Sequence, residues 1–392
     1  MSKTYPDFLK VFDELPDPRS HRTRRHNLVD ILFIALCSVL TGGKSFVDME
    51  DLATAWEGWF KQFIPMTGGP PSHDTFNRVF QMIDPTRFES CFRAWTEQLR
   101  QSIGTEIIAV DGKSNRGSGS RNQAPIELVN AWASHNRLLL GQLATEAKSN
   151  EITAVPELLK GLMLSKAIVT VDAMNCQKVT AAAVIEGGGD YVFALKGNQG
   201  RLHEEARLFL DEMASEVPAE VEKIEKGHGR FEIRRYWQTD EIEWFADMKQ
   251  WPGLKSFGMV HSIREMGNGK TTEERRYYIS SLPKGTDLFA EAVRAHWGIE
   301  NKVHWCLDVI FGEDQNRART KYASTNLSSL RKMALNILRK EPGNKGLARK
   351  MRNAIAKPDF LLVLLGLDAI ALATVPGQSL ENELCYERAL KR

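Results

Sequence analysis

Two aspartates stand where a sheet would present them. Asp111 follows the apolar run Ile107-Ile108-Ala109-Val110 and precedes Gly112, and Asp172 follows Ile168-Val169-Thr170-Val171. A short apolar run that ends in a breaker reads as a buried strand. Ligands of α/β sheets bind outside the carboxyl ends of such strands. A third carboxylate, Glu300, lies in a stretch where His296, Glu300, His304 and Asp308 recur every four residues, so on a helix they share a face. A polar stripe on a helix that packs against a sheet needs a reason. Three carboxylates meeting at one sheet edge repel each other unless a cation joins them, and hard oxygen ligands suit Mg²⁺ or Mn²⁺. Two such ions about 3.5–4 Å apart bracket a phosphodiester, one activating the nucleophile and the other stabilising the leaving oxygen. Taken alone, each aspartate is explained by a structural cap. Asp111, Asp172 and Glu300 together, separated by 61 and 128 residues, form a metal-binding and catalytic triad. Zinc is disfavoured, because His296 and His304 are eight apart and no HExxH is present.

The elements around these residues set the fold class. Residues 1–104 read as an all-α N-terminal domain, with helices over 28–40 and 46–60 and another that starts at the cap Ser72. From residue 105 the pattern turns to strands: one ending at Asp111, two more over 128–133 and 138–145, a helix, a strand ending at Asp172, a helix, and a strand over 191–195. Three strands followed by alternating helices and strands is the order of an RNase H-like α/β core, assigned here to residues 105–215. Residues 216–284 read as a β-rich insertion, with strands over 231–238, 256–263 and 276–281. Helical periodicity returns over 285–325, carrying Glu300, and residues 326–392 read as a basic helical C-terminal region.

Composition is that of an ordinary globular chain, with 42% hydrophobic and 26% charged residues. The net charge of +2 excludes nothing, but its distribution is uneven. Residues 317–357 hold twelve Lys or Arg against one acid, whereas residues 201–226 hold eight acids against four bases. Such asymmetry points to an anionic partner on one face. Five cysteines without a CxxC pair suggest neither a zinc knuckle nor a disulfide framework, and fit a reducing cytosol. No signal peptide is read at the N-terminus, and the apolar run 28–40 is too short to span a bilayer. The expected location is therefore cytoplasmic, with no membrane partner.

Several basic residues are candidates for DNA contact. Arg24 and Arg25 belong to a cluster before the first apolar helix, where a solvated arm and a phosphate-contacting arm fit equally. Asn77 and Arg78 would be exposed on the second helix of a helix-turn-helix, and an ordinary helical domain fits as well. Lys113 and Lys196 follow the strands that end near the acids. His228, Arg230 and Arg234 cluster where the insertion begins, as a phosphate site or a plain surface turn. Arg331 and Lys332 belong to the basic tail and would supply sequence-independent phosphate contacts. The segment 114–124 reads as a mobile basic loop, and Trp297 and Trp305 read as core residues rather than base-stacking platforms.

These residues resemble a family. Val110-Asp-Gly-Lys113, Val171-Asp-Ala173, Ala194-Leu-Lys-Gly-Asn198, His228-Gly-Arg230, Tyr278-Ile-Ser-Ser-Leu282 and His296-Trp-Gly-Ile-Glu-Asn301 are similar to motifs of the H-repeat-associated transposases of bacterial insertion sequences, in the DDE superfamily. Leu15-Pro-Asp-Pro-Arg19 and Pro71-Ser-His-Asp-Thr75 look like that family's associated N-terminal domain. The resemblance spans nearly the whole chain and implies Asp111, Asp172 and Glu300 as the DDE triad. It departs from the Tyr, Arg, Glu, Lys signature of related transposases with a strand insertion. Those positions hold Val293, His296, Glu300 and Leu307 here, so His296 is expected to replace the arginine as a DNA contact.

The expected function is DNA transposition. It comprises metal-dependent cleavage at terminal inverted repeats and strand transfer into target DNA, with two Mg²⁺ or Mn²⁺ ions, by a homodimer on DNA. The alternatives are an RNase H-like nuclease without strand transfer and a domesticated or inactive DNA-binding protein.

Overall fold

One nine-stranded sheet runs through the molecule in the order β3-β2-β1-β4-β5-β9-β8-β7-β6. This computed structural model describes residues 4–101, 104–145, 151–227, 230–267 and 269–367. Six helices come first: α1 (Thr4–Phe12), α2 (Leu28–Leu40), α3 (Phe46–Ala55), α4 (Glu57–Phe60), α5 (His73–Met82) and α6 (Pro85–Leu99). Strands β1 (Glu106–Asn115), β2 (Ile126–Ala133) and β3 (Leu138–Ala144) form an antiparallel meander. Then α7 (Glu151–Lys160), β4 (Ala167–Val171), α8 (Lys178–Glu186) and β5 (Asp190–Leu195) add two parallel strands beside β1. The fold is RNase H-like, as the order of elements led one to expect.

After α9 (Arg201–Glu216), four antiparallel strands extend the same sheet: β6 (Val221–Gly227), β7 (Arg230–Thr239), β8 (Ser256–Met266) and β9 (Thr271–Ser280). Strand β9 pairs directly with β5, so these strands are continuous with the core rather than a separate lobe. The edge strand β6 was not foreseen. All its residues but Val221 are exposed and it alternates glutamate with lysine, a charged edge that discourages further pairing.

Period-2 alternation divides the apolar residues of the sheet between its two faces. Ile107, Ile168 and Val192 pack with Phe289 and Val293 of α10 (Thr286–His296). Their neighbours Ile108, Val169 and Phe193 join the main core, on the side of α7 and α8. Asp111 is four residues beyond Ile107, and Asp172 four beyond Ile168. Both therefore emerge on the α10 face.

Helix α11 (Ala323–Lys340) was expected to be an exposed basic helix, and this is corrected: every residue from Ala323 to Leu338 is buried. It packs on α2, α5, α6 and β3, and helices α12 (Leu347–Ala356) and α13 (Pro358–Leu365) close over it. Its asparagines satisfy backbone that would otherwise be orphaned. Asn336 Nδ2 donates to the Leu139 carbonyl at 2.9 Å, and its Oδ1 accepts from Leu139 N at 2.8 Å. This covers the edge of β3. Asn326 Nδ2 donates to the carbonyls of Phe80 and Ile83 at the end of α5.

Two further expectations are corrected. The connection from α3 to α5 holds α4 and an extended loop, so it is not the tight turn of a helix-turn-helix. The stretch after Ser114 is not a free basic loop: β1 runs on to Asn115, and Gly117 is pressed against the backbone of Asp314 and Asn316. A Cβ on Gly117 would come within 2.3 Å of the Asn316 carbonyl, so the close approach requires glycine. Among the described residues no helix is long and apolar enough to cross a membrane.

Candidate active site and nucleic-acid surface

Strands β1 and β4 pair in parallel as far as Val110 and Val171, which brings Asp111 and Asp172 side by side at the next position. Strand β1 does not end there as expected. Asp111 sits where β1 leaves β4 while still paired to Asn130 of β2. The chain that crosses this point continues from α10. It resumes after Trp297 and passes through two π-helical segments, Glu300–His304 and Cys306–Ile310. An α-helix overshoots a full turn by about 40° in four residues, and wider π winding takes up that excess. The stripe His296, Glu300, His304 and Asp308 therefore stays on the sheet side.

Each member of the stripe meets a different group. His296 Nδ1 lies 3.0 Å from Thr170 Oγ1 on β4. His304 Nδ1 lies 3.7 Å from Asp111 Oδ2 and 3.6 Å from Glu300 Oε2. One donor atom from each of Asp111, Glu300 and His304 falls within 4.8 Å of the others. Asp308 turns to Lys113, whose Nζ is 2.7 Å from Asp308 Oδ1.

The acids are crowded. Burial and then repulsion from Asp172, Glu300 and Glu151 push the Asp111 carboxyl up to about 7. A set of acids that cannot all ionise alone is one that a cation would complete. For donors about 2.1 Å from an octahedral ion, neighbours are about 3 Å apart and opposite pairs about 4 Å. The 3.6 and 3.7 Å separations fall in this range.

Glu151 and Asn175 were not foreseen at this site. The Glu151 carboxylate, in the first turn of α7, sits so close under Gly112 that a Cβ there would meet Glu151 Oε1 at 2.0 Å. Gln177, not Asn175, takes the N-cap position of α8. Instead Asn175 Nδ2 donates to both Glu151 Oε2 (3.1 Å) and Asp172 Oδ1 (3.0 Å), and its backbone N–H also reaches Asp172 Oδ1. Asn175 thereby fixes the Asp172 side chain. An apolar-run search finds acids at strand ends but not a glutamate that opens a helix on the opposite face.

The proposed DNA contacts separate sharply. Arg331 and Lys332 are corrected: both are buried around Glu313, which is itself fully enclosed. Burial alone would raise the Glu313 carboxyl, but Lys332, Lys113 and Arg331 outweigh it and pull it down to about 2. Lys113 is also corrected, because three carboxylates engage its buried ammonium: Asp308, Glu313 and Asp314. His296 is half-buried, and desolvation pushes its imidazole down to about 4, which favours the neutral form over a cation that would stand in for the arginine. Arg234 is held by Glu232 (2.6 Å) and Glu225 (3.1 Å). Arg24 Nη2 donates to the carbonyls of Asp17 and Arg19, so it ties down its own loop. Asn77 accepts from Gln81 Nε2. His228 lies outside the described residues, as does the side chain of Arg230, the first residue of β7.

Arg25, Arg78 and Lys196 remain exposed. Arg25 and Arg78 line one surface cleft together with Arg19, Ser20, His26 and Thr75. Lys196 follows the carboxyl end of β5. Trp297 and Trp305, expected in the core, are 43% and 55% exposed on the helix that carries Glu300. Arg276 covers the Trp297 ring at 4.6 Å.

Comparison with known proteins gives the same picture. The transposase DDE domain family matches residues 102–337, and the DDE_Tnp_1-associated family matches residues 9–96. An uncharacterized protein in the dhlA 3′ region of Xanthobacter autotrophicus is 45% identical, over 70% of this chain and 95% of that protein. The H repeat-associated putative transposase YhhI of Escherichia coli K12 is 38% identical, over 90% of this chain and 95% of its own length. The putative transposase YncI of Escherichia coli O157:H7 is 39% identical, over 89% and 91%. The backbone superposes only loosely on piggyBac transposase in a synaptic complex with hairpin DNA, with a TM-score of 0.41 and 11% identity over 99% of this chain and 81% of that one.

Proposed function

The chain belongs to the transposase DDE family, and from that premise we propose that it cuts DNA at the ends of a bacterial insertion sequence and joins them to target DNA. The observation that carries this reading is the convergence of Asp111 with Glu300 beside Asp172, on the helix-covered face of the β1–β4 pair.

Asp111, Asp172 and Glu300 are the residues that would hold Mg²⁺ or Mn²⁺. Bound there, such ions supply Lewis-acid activation of a water or 3′-hydroxyl and stabilise the leaving oxygen of an in-line displacement. Asn175 holds the Asp172 carboxylate in place through two hydrogen bonds to Oδ1. The Lys113–Asp308 ion pair draws that acid away, which leaves Glu300 as the helix carboxylate nearest Asp111. Hydrolysis frees a 3′-hydroxyl at the element end, and the same residues serve its attack on a target phosphodiester. Arg25, Arg78 and Lys196 contact backbone phosphates. Two ends must be held at once, so the working form is a homodimer on DNA.

The test is incubation of the protein with the DNA that flanks its own gene and Mn²⁺, with products mapped at nucleotide resolution. Cleavage at both repeat ends followed by joined products supports transposition. Cleavage without joining supports an RNase H-like nuclease, and DNA binding without cleavage supports an inactive descendant.

A further inference from the structure

The carboxylate reading leaves one buried side chain of the site unused. His304 is 6% exposed, and the ring nitrogen that it turns toward the acids is Nδ1. His296, eight residues earlier on the same stripe, supplies the contrast, because its Nδ1 is satisfied by Thr170 Oγ1 at 3.0 Å. His304 Nδ1 instead faces Asp111 Oδ2 at 3.7 Å and Glu300 Oε2 at 3.6 Å. Both distances are too long for hydrogen bonds. Both are the separation of donors that share one cation.

We propose that His304 is a metal ligand, which with Asp111 and Glu300 makes one cation position of this site a nitrogen-containing one. The inference rests on the carboxylate reading above and adds a donor that it did not include. The backbone supports it. Glu300 and His304 are the first and last residues of a π-helical segment, in which the Trp305 N–H reaches back to the Glu300 carbonyl. Such local widening of a helix concentrates at functional sites. Here it keeps the two donors on one side of the helix, facing β1. Asp308 cannot be the third donor instead, because Lys113 Nζ already holds it at 2.7 Å.

The chemical consequence is a preference among divalent ions. Imidazole nitrogen suits transition metals better than it suits Mg²⁺, which favours oxygen donors. The site should hold Mn²⁺ more tightly than Mg²⁺, by a margin that His304 contributes.

The experiment is pulsed electron paramagnetic resonance of the full chain with Mn²⁺ alone. It is run on natural-abundance protein, on protein labelled with ¹⁵N-histidine, and on His304→Gln, His296→Gln and Asp111→Asn. The wild type should show the ¹⁴N coupling of a directly bound imidazole, replaced by ¹⁵N coupling in the labelled protein. His296→Gln should keep the coupling. His304→Gln should still bind Mn²⁺ but lose the coupling, and its preference for Mn²⁺ over Mg²⁺ should fall on the order of ten-fold. Bound Mn²⁺ without nitrogen coupling in the wild type overturns the proposal, as does coupling that survives in His304→Gln or vanishes in His296→Gln. If His304→Gln does not fold, the labelled wild type and His296→Gln decide the matter between them. Failure of the carboxylate reading itself looks different: Mn²⁺ binding would then be absent, or unchanged in Asp111→Asn.

Discussion

At the scale of single residues, the account turns on which acids converge. Asp111→Asn, Asp172→Asn and Glu300→Gln should each abolish cleavage while leaving binding to the element ends within a few-fold. Asp308→Asn should keep measurable cleavage, because its partner is Lys113. Nucleotide-resolution cleavage assays paired with fluorescence anisotropy separate these outcomes, and full activity in any of the first three removes that residue from the site. The raised Asp111 carboxyl adds a pH signature. In metal-free protein its folded form holds a proton up to about 7, whereas the unfolded chain loses that proton near 3.8. The folded state therefore binds more protons between these values, and stability falls as pH rises through that window. Chelator-treated protein should melt at lower temperature at pH 8 than at pH 5. Asp111→Asn should flatten that difference, and Mg²⁺ should restore more at pH 8. The placement of Asp111, Asp172 and Glu300 was legible, because strand ends and helix periodicity leave a mark on sequence. Glu151 and Asn175 were not, because their role depends on a helix start and a loop meeting beneath Gly112.

Helices and strands explain why the charged residues were harder to place. A run of lysine and arginine is the same in sequence whether it faces water or a buried acid. Arg331 and Lys332 lie on an amphipathic helix whose polar side meets Glu313 rather than solvent. Removing one partner from a buried ion pair costs about 3–5 kcal/mol. Glu313→Gln should therefore lower stability by about that amount, read in denaturant unfolding. Loss below about 0.5 kcal/mol would mean that the network contributes little beyond a surface substitution. DNA affinity should instead respond at the cleft of Arg25 and Arg78. Neutralising both should reduce the slope of log affinity against log salt by about 2, and an unchanged slope would assign them to a solvated face. Helix 286–296 and its π-helical continuation show the reverse case. Their four-residue stripe was readable in full, although the winding that preserves it was not.

For the whole molecule, the order of strands was visible in sequence but the way the parts join was not. The strand-rich stretch reads as an insertion into the core, and β9 pairs with β5 so that inserted and core strands make one sheet. The basic C-terminal region reads as a DNA-contacting helical surface, yet α11 is clamped between the N-terminal helices and β3. A chain cut before Ala323 should lose solubility, because the β3 edge and the core faces of α2, α5 and α6 would be uncovered. A monomeric, cooperatively melting product in size-exclusion and calorimetric runs would contradict that integration. The central claim is that a cation held by Asp111, Asp172 and Glu300 touches the phosphate being cut. The most direct test is a single sulfur in place of a non-bridging oxygen at the mapped scissile phosphate, with each stereoisomer assayed in Mg²⁺ and in Mn²⁺. Sulfur is a poor ligand for Mg²⁺ and a better one for Mn²⁺. The account predicts that one isomer stalls in Mg²⁺ and is rescued by Mn²⁺ in the wild type, with no rescue in Asp172→Asn. Equal cleavage of both isomers in Mg²⁺ would contradict it.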